Sequence, residues 1–385
     1  MAEVTEAELI DRVEQIAPAI AQRAAQSEAD RKPHDDSIQE LVDAEVFSLF
    51  TPKRYGGHEF SLDTHARVIE IISSACMSTA WVSAFYLGHN FMAVKFGREM
   101  QEELWGERPF ALIPITTNPP ISAKAVDGGW EISGRSSFAS GIMHGDWVGL
   151  TGAAEDQALW VYMMPKSDVR VHDVWQMSGM AGTGSNDVEV EGLFVPAHRS
   201  VPLVEFFEGK TAGTMLHENP LYHTPLLPFI YNECMCVFSG GLRGATDSFE
   251  EVVRRRVTSH ARTVVKDQQH TRYLLGEAHM NVLTAEALVR DLARETMKCV
   301  NKGDWLMTDR LRLKTIAAFI PQHCRRSMSD MIAHAGTSNF HNDRPLQRYF
   351  RDLNTLASHA FWDRDTTMEL YGRERLGLEP NHPLI

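Results

Sequence analysis

Cations are in deficit. Lys and Arg total 38 against 51 Asp and Glu, a formal net charge of −13 over 385 residues. A uniformly acidic surface repels phosphate backbones and anionic lipid, which argues against a nucleic-acid or membrane-surface role. An anionic cofactor would then need a local positive site. No apolar run is long enough to span a bilayer. The opening stretch MAEVTEAELIDRVEQ is polar and acidic, unlike a secretory signal or transit peptide, so a cytoplasmic location is expected. Cysteine is scarce and irregular: Cys76, Cys234, Cys236, Cys299 and Cys324 form no framework and only one C-x-C pair. That suits reduced, buried thiols better than disulfides or a zinc site. Also absent are G-x-x-x-x-G-K-[ST], H-E-x-x-H and G-x-S-x-G.

What is present is ordinary globular composition, 43% hydrophobic and 23% charged, which excludes wholesale disorder. The length suits two or three domains, and the periodicity changes twice. Residues 1–109 read as helix. Leu9, Val13, Ile16 and Ile20 line one face, with Pro18 as a point where the helix can bend. Ser37 and Glu40 have the spacing of a capping box for a second helix. Helices follow around 62–77 and 79–96, the latter (AWVSAFYLGHNFMAVKF) apolar nearly all round and so expected to be buried on most sides. Residues 110–226 alternate with period two and read as a β domain, a small barrel or sandwich, with Gly128-Gly129 as a hairpin turn. Residues 227–385 return to helix. Leu275, Ala278, Val282, Ala285, Val289 and Leu292 form a seam for antiparallel packing, and Asp343 with Pro345 opens a last long helix through Gly372. The fold class is α+β.

Few residues speak chemically on their own. The glycine-rich GMAGTGS (Gly179–Ser185) lies between strands, so it is not a dinucleotide-binding turn; it can present backbone N–H groups and the hydroxyls of Thr183 and Ser185, although on spacing alone a plain turn accounts for it. His89 in its apolar helix needs a partner or a cavity, and a hydrogen-bonded core histidine is the simpler account. Ser140 and Gly141 end the strand-like GRSSFASG, where a glycine permits a ligand's close approach or merely makes a turn. His359 follows Asp352 by seven residues, which on one helix puts both on one face, where a carboxylate can orient an imidazole.

The helical–β–helical order, TPKRYGG (Thr51–Gly57) and GMAGTGSNDVEVEGLFVP (Gly179–Pro196) together resemble the acyl-CoA dehydrogenase superfamily over nearly the whole chain. Ala181 stands where that signature often has Arg. The resemblance implies a C-terminal four-helix bundle, a flavin between it and the β domain, and a homotetramer. Three words are closer to the flavin-dependent two-component monooxygenases of that superfamily: WVSAFYLGHN, which places Trp81, Tyr86 and His89; SSFASGIMHGDWV, which places Ser140, Gly141, His144 and Trp147; and LQRYFRDLNTLASHAF, which places Arg348, Arg351, Asp352, His359 and Phe361. Departures from that branch are Ala139, where it often has Ser, and Phe138 or Ser136, where it has Trp.

This branch implies a reaction of O2 with reduced FMN or FAD, delivered by a separate NAD(P)H-dependent flavin reductase, through a C4a-hydroperoxide; no metal is implied. The resemblance gives Ser140 the flavin N5 proton, His89 the proton of a phenolic substrate because histidine titrates near neutrality, and His359 the flavin's reactive edge. Trp81, Gly141, Trp175, Thr183 and Ser185 would line the flavin, Arg262 would meet a flavin phosphate, and Tyr86 and Phe361 would touch substrate, with Phe85, Phe91 and Trp362 as further aromatic candidates. Three other functions stay open: an acyl-CoA dehydrogenase with Glu233 as base, favoured if that residue is buried facing the flavin and disfavoured by exposure or an arginine partner; an amine N-hydroxylase of the same branch; and a non-catalytic helical scaffold.

Overall fold

The computed structural model describes residues 4–257 and 264–380. Helix α1 (Glu6–Ala29) starts on a true capping box: Thr5 Oγ1 accepts from the Glu8 amide at 3.2 Å and Glu8 Oε2 from the Thr5 amide at 2.8 Å. It runs on through Pro18, burying Leu9, Val13 and Ile20. The capping box expected at Ser37 is not used. Helix α2 (Asp35–Asp43) starts earlier, on His34, whose Nδ1 accepts from the Asp36 amide at 3.2 Å, and Ser37 is buried within the first turn. Helices α3 (Leu62–Ala75), α4 (Met77–Ala93) and α5 (Arg98–Trp105) follow. Every residue of α4 except Phe85 is buried, as a helix apolar on all sides demands.

The β region is one seven-stranded sheet. Its strands are β1 (Ile115–Val126), β2 (Gly129–Ala139), β3 (Trp147–Ala153), β4 (Leu159–Pro165), β5 (Arg170–His172), β6 (Asn186–Pro196) and β7 (Ser200–Pro202). They lie in the order β5-β6-β2-β1-β3-β4-β7, with β5 and β7 at the edges. β1 and β2 form the expected hairpin, and only the β1–β3 pair is parallel. Inward residues such as Ile132, Val148, Leu150, Val188 and Val190 make a core of their own.

After the short α6 (Leu203–Glu208) come α7 (Leu226–Arg255), α8 (Gln269–Lys302), α9 (Met307–Ala335), α10 (Pro345–Ala357) and α11 (Arg364–Arg375). In the α8 seam Ala278, Val282, Ala285, Val289 and Leu292 are buried, and Leu275 at its start is partly buried against the same core. The single last helix expected from Pro345 is instead two. Asp363 caps α11 through the Asp365 and Thr366 amides, and the chain between folds into a short turn capped by His359. One apolar cluster joins α1, α3 and α4 to α7–α10, so the front and rear helices share a core.

That shared core contains a carboxyl. Glu70 of α3, 3% exposed, accepts from Ser239 Oγ at 2.8 Å, while Arg290 of α8 stays 4.0 Å away. Burial, helped by nearby Glu286, pushes its pKa up from 4.5 to about 7. Because the folded-state value is the higher one, the folded chain holds this proton longer than the unfolded chain, and stability falls as pH rises from about 4.5 to about 7. Glu70→Gln keeps the acceptor and removes the charge. It is expected to leave stability unchanged at pH 4.5 and raise it by up to about 3 kcal/mol above pH 7.5, measured by denaturant unfolding across pH.

Candidate functional site

Two backbone turns and one helix bring the expected residues together. The first turn follows β2. Gly141 has φ +82°, and a Cβ there would lie 2.8 Å from both Tyr86 Oη and Val82 Cγ1, so only glycine fits between this turn and α4. The second turn, Met180–Gly184, precedes β6; its ends, Met180 and Gly184, both have positive φ. The Gly141 amide donates to the Thr183 carbonyl at 3.0 Å and joins the two turns. Between them runs a buried polar chain. Trp81 Nε1 donates to Ser140 Oγ (3.3 Å), Ser140 Oγ contacts Ser185 Oγ (2.7 Å), Ser185 Oγ contacts Thr183 Oγ1 (2.8 Å), and Thr183 Oγ1 donates to the Met180 carbonyl (2.9 Å).

Trp175 belongs to the same assembly. Its Nε1 donates to the Met180 carbonyl at 3.1 Å, and its amide donates to Asn186 Oδ1 at 3.0 Å. Its ring meets Phe138 edge-on at 6.0 Å. Phe138 is 58% exposed and has φ +64°, an unfavourable conformation for a bulky residue that turns it outward. Met143, Val174 and Met177 are exposed on the same two chain segments. A flat apolar ring with a polar edge fits such a place: apolar side chains for its faces, and the buried hydroxyls of Ser140, Ser185 and Thr183 for its edge. These residues fit an isoalloxazine.

On α4, Trp81, Phe85 and His89 follow at four-residue steps, with ring centroids 4.6 and 5.0 Å apart. His89 Nδ1 bonds the Ile113 carbonyl. A carbonyl only accepts, so Nδ1 carries the hydrogen and Nε2 keeps its lone pair. Nε2 has no hydrogen-bond partner among the described residues. Burial lowers this imidazole's pKa from 6.5 to about 4, which corrects the near-neutral value expected of it. His89 is therefore a neutral hydrogen-bond acceptor at pH 7.

Tyr86 donates its hydroxyl to the Gly141 carbonyl and packs edge-on against Phe47, a task of holding the turn. Phe91 stacks on Phe229 at 3.6 Å and belongs to the core. His144, beside the first turn, bonds Asp35 Oδ1 through Nε2 at 2.7 Å, and Trp147 lies under the Arg199 guanidinium.

Asp352 and His359 do not pair. Asp352 is buried and accepts from the Met180 amide at 2.6 Å, while His359 lies past the end of α10, exposed, its Nδ1 accepting from the Phe361 amide at 3.2 Å. The shared face fails because α10, which carries Asp352, ends at Ala357, before His359 is reached. Arg351 donates to Glu28 and to the Ser178 carbonyl, so α10 and α1 together clamp the second turn. Arg31, at the end of α1, adds an ion pair to Asp173 and a bond to the Trp175 carbonyl. Phe361 is half-buried, 6.0 Å from Tyr231, and Trp362 is buried with Nε1 on the Leu356 carbonyl. No contact joins His359 or Phe361 to Ser140 or His89 among the described residues.

Arg262 lies outside the described residues. Arg255, Arg256 and Arg344 line a cavity of about 320 Å³ together with Glu251, Ser338 and Asn339. Among the described residues no three His, Cys, Asp or Glu side chains are placed to hold a metal ion, and no helix is long and apolar enough to cross a membrane.

Glu233 of α7 is 2% exposed and has no arginine partner among the described residues. Its Oε1 is sealed against Gly88 of α4 without a hydrogen bond, and burial pushes its pKa well up. Closed in by a neighbouring helix, it is poorly placed to take a proton from a substrate.

Comparison with known proteins identifies relatives of this chain. Residues 5–108 match the acyl-CoA dehydrogenase N-terminal domain and residues 236–364 the acyl-CoA dehydrogenase C-terminal domain. The chain is 36% identical over 388 residues to a pigment production hydroxylase of Rhodococcus sp. (strain ATCC 21145), covering 100% of both chains. It is 26% identical over 389 residues to the oxygenase component of p-hydroxyphenylacetate 3-hydroxylase of Acinetobacter baumannii, covering 100% of this chain and 92% of that one. XiaF from Streptomyces sp., solved with FADH2 and glycerol, superposes with a TM-score of 0.89 at 27% identity, covering 99% of this chain and 98% of that one. The chain belongs to the acyl-CoA dehydrogenase superfamily, in its branch of flavin-dependent two-component monooxygenases.

Proposed function

We propose that this chain is the oxygenase component of a flavin-dependent monooxygenase that hydroxylates an aromatic, phenolic small molecule. The observation that carries the reading is the buried hydroxyl chain ending at Ser140, set between an apolar wall (exposed Phe138 and Met177 with half-buried Trp175) and the Trp81–Phe85–His89 stripe of α4. Reduced flavin, when bound, supplies the activation of O2. The protein's part is to hold, orient and dry the site. Ser140 holds the hydrogen at flavin N5, with Trp81, Gly141, Trp175, Thr183 and Ser185 around the ring. His89 Nε2 accepts the hydrogen bond of the substrate hydroxyl, which raises the electron density of the phenol ring; a neutral imidazole does this without first losing a proton. Phe85, half-buried between Trp81 and His89, is an apolar neighbour for that ring. His359 stays in the proposal at the outer edge of the flavin, since Asp352 anchors α10 on the Met180 turn and His359 follows seven residues later.

The words oxygenase component and FADH2 in the names of relatives support a supply of reduced flavin, FMN or FAD, from a separate reductase, for which NAD(P)H is the proposed electron source. A homotetramer is supported by the outer face of α8. Tyr273, Met280 and Leu283 are 63, 60 and 53% exposed at helical spacing, with Gly276 and Ala287 on the same face.

The test mixes anaerobic protein and reduced FMN or FAD with oxygenated buffer in stopped flow. Flavin oxidation is expected in two resolved phases, the second slow, and Ser140→Ala should speed the second about tenfold or more. Acyl-CoA thioesters should leave oxidised flavin unreduced. A single phase no faster than free flavin would overturn the reading.

A further inference from the structure

We infer that Thr183 and Ser185 are positioning residues that fix the direction of the Ser140 proton and thereby make the site select reduced over oxidised flavin. The inference rests on the flavin reading above. Three oxygen–oxygen contacts run in series from Ser140 to Ser185, to Thr183 and to the Met180 carbonyl, at 2.7, 2.8 and 2.9 Å. Oxygens this close need a hydrogen between each pair. Each of the three hydroxyls supplies one and the carbonyl supplies none, so the contacts use every hydroxyl hydrogen in the chain. Only one arrangement gives each contact its hydrogen. Thr183 donates to Met180, Ser185 donates to Thr183, and Ser140 donates to Ser185.

The two ends reinforce this direction. The Met180 carbonyl is pinned by Trp175 Nε1 and the Thr183 amide, both at 3.1 Å. Indole Nε1–H only donates, so Trp81 occupies one Ser140 lone pair at 3.3 Å. Ser140 is left with one lone pair and no spare hydrogen. Ser140, Ser185 and Thr183 are 5, 4 and 1% exposed, so bulk water does not supply an alternative donor.

This polarity distinguishes the redox states of a flavin. N5 of the reduced ring bears a hydrogen and donates to Ser140. N5 of the oxidised ring bears a lone pair and meets another lone pair. To donate to it, Ser140 would have to break its bond to Ser185 and leave two buried oxygens in contact without a hydrogen, which is unfavourable. The direction of these hydrogen bonds therefore favours the reduced cofactor over the oxidised one.

The test is equilibrium binding of FMN and FAD to the full chain, oxidised in air and reduced anaerobically with dithionite, by ultrafiltration. The unaltered protein should bind the reduced form more tightly. Thr183→Val removes the acceptor for Ser185, whose hydroxyl can then turn to Ser140 and free the Ser140 hydrogen for oxidised N5. Ser185→Ala frees the same hydrogen directly. Both should lower the ratio of oxidised to reduced Kd about tenfold, whereas Ser185→Thr, which rebuilds the chain, should restore it. A loss of affinity equal for both redox states, or an unaltered protein without preference, would overturn the inference. One measurement needs no variant: in bound, 15N5-labelled reduced FMN the N5–H should exchange slowly with solvent, and fast exchange counts against it. If the unaltered protein binds neither flavin in either state, the flavin reading fails with it, an outcome distinct from lost selectivity.

Discussion

Asp352→Ala is expected to lower flavin-dependent oxygenation by about 100-fold, whereas Asp352→Asn keeps most of it. Asp352 is the link between α10 and the Met180 turn, accepting from the Met180 amide at 2.6 Å in a position only 4% exposed. Alanine leaves that amide without its partner, a cost of about 1–3 kcal/mol, and frees the turn that carries Thr183 and Ser185. A shift of about 1 Å at such a turn is enough for a 100-fold loss. Asparagine retains the accepting Oδ1. It also removes a charge that the fold disfavours, since burial raises the Asp352 pKa from 3.8 to about 6, with the Met180 amide opposing that shift. The folded value is the higher, so this group's contribution to stability declines as pH climbs from about 4 to about 6. Asp352→Asn should thus be more stable than the unaltered protein at pH 7.5, by up to about 3 kcal/mol, and no more stable at pH 4. Thermal unfolding at the two pH values, beside reduced-flavin oxidation kinetics, separates the two substitutions. Equal activity of the Ala and unaltered proteins would show that the turn does not need this clamp.

Gly88→Ala is expected to destabilise the protein by about 3 kcal/mol or more, although alanine is the better helix former by about 1 kcal/mol. The added Cβ would lie 1.8 Å from Glu233 Oε1 and 2.6 Å from Glu233 Cδ. Glu233 is buried on α7 and has little space into which to move, so α4 itself must give way. Phe85 and His89 flank Gly88, and activity should fall together with stability. Glu233→Ala in the same chain removes the obstructing atoms. The double variant should recover at least about 2 kcal/mol relative to additivity in a double-mutant cycle of urea unfolding. A Gly88→Ala protein as stable as the original would mean that α4 and α7 do not meet as described.

Much of this molecule is legible locally. The α8 seam, the β1–β2 hairpin and the buried α4 follow from apolar spacing, because a residue's face on a helix or strand depends on its neighbours a few positions away. Trp81 and His89, which the resemblance places, lie on one α4 stripe, and the hydroxyls of Thr183 and Ser185 in the GMAGTGS turn are buried against each other. Two further local signals mark helix starts. Pro33-His34 followed by Asp35-Asp36 marks the start of α2 better than Ser37 does, since His34 Nδ1 offers the acceptor and the acids suit a helix N-terminus. Asp363, three residues before Thr366, is the N-cap that divides the last helix.

The chain by itself determined the order of helical, β and helical segments, their buried faces, and the residue types available for the chemistry. Only the tertiary structure decided which of them meet. The partner of Asp352 is not His359 seven residues on but Met180, 172 residues away. Neither the pKa of His89 nor the sealing of Glu233 is written in any short segment, because burial and hydrogen-bond direction arise from elements distant in sequence that dock through a common core, and those contacts set the charge state of each group.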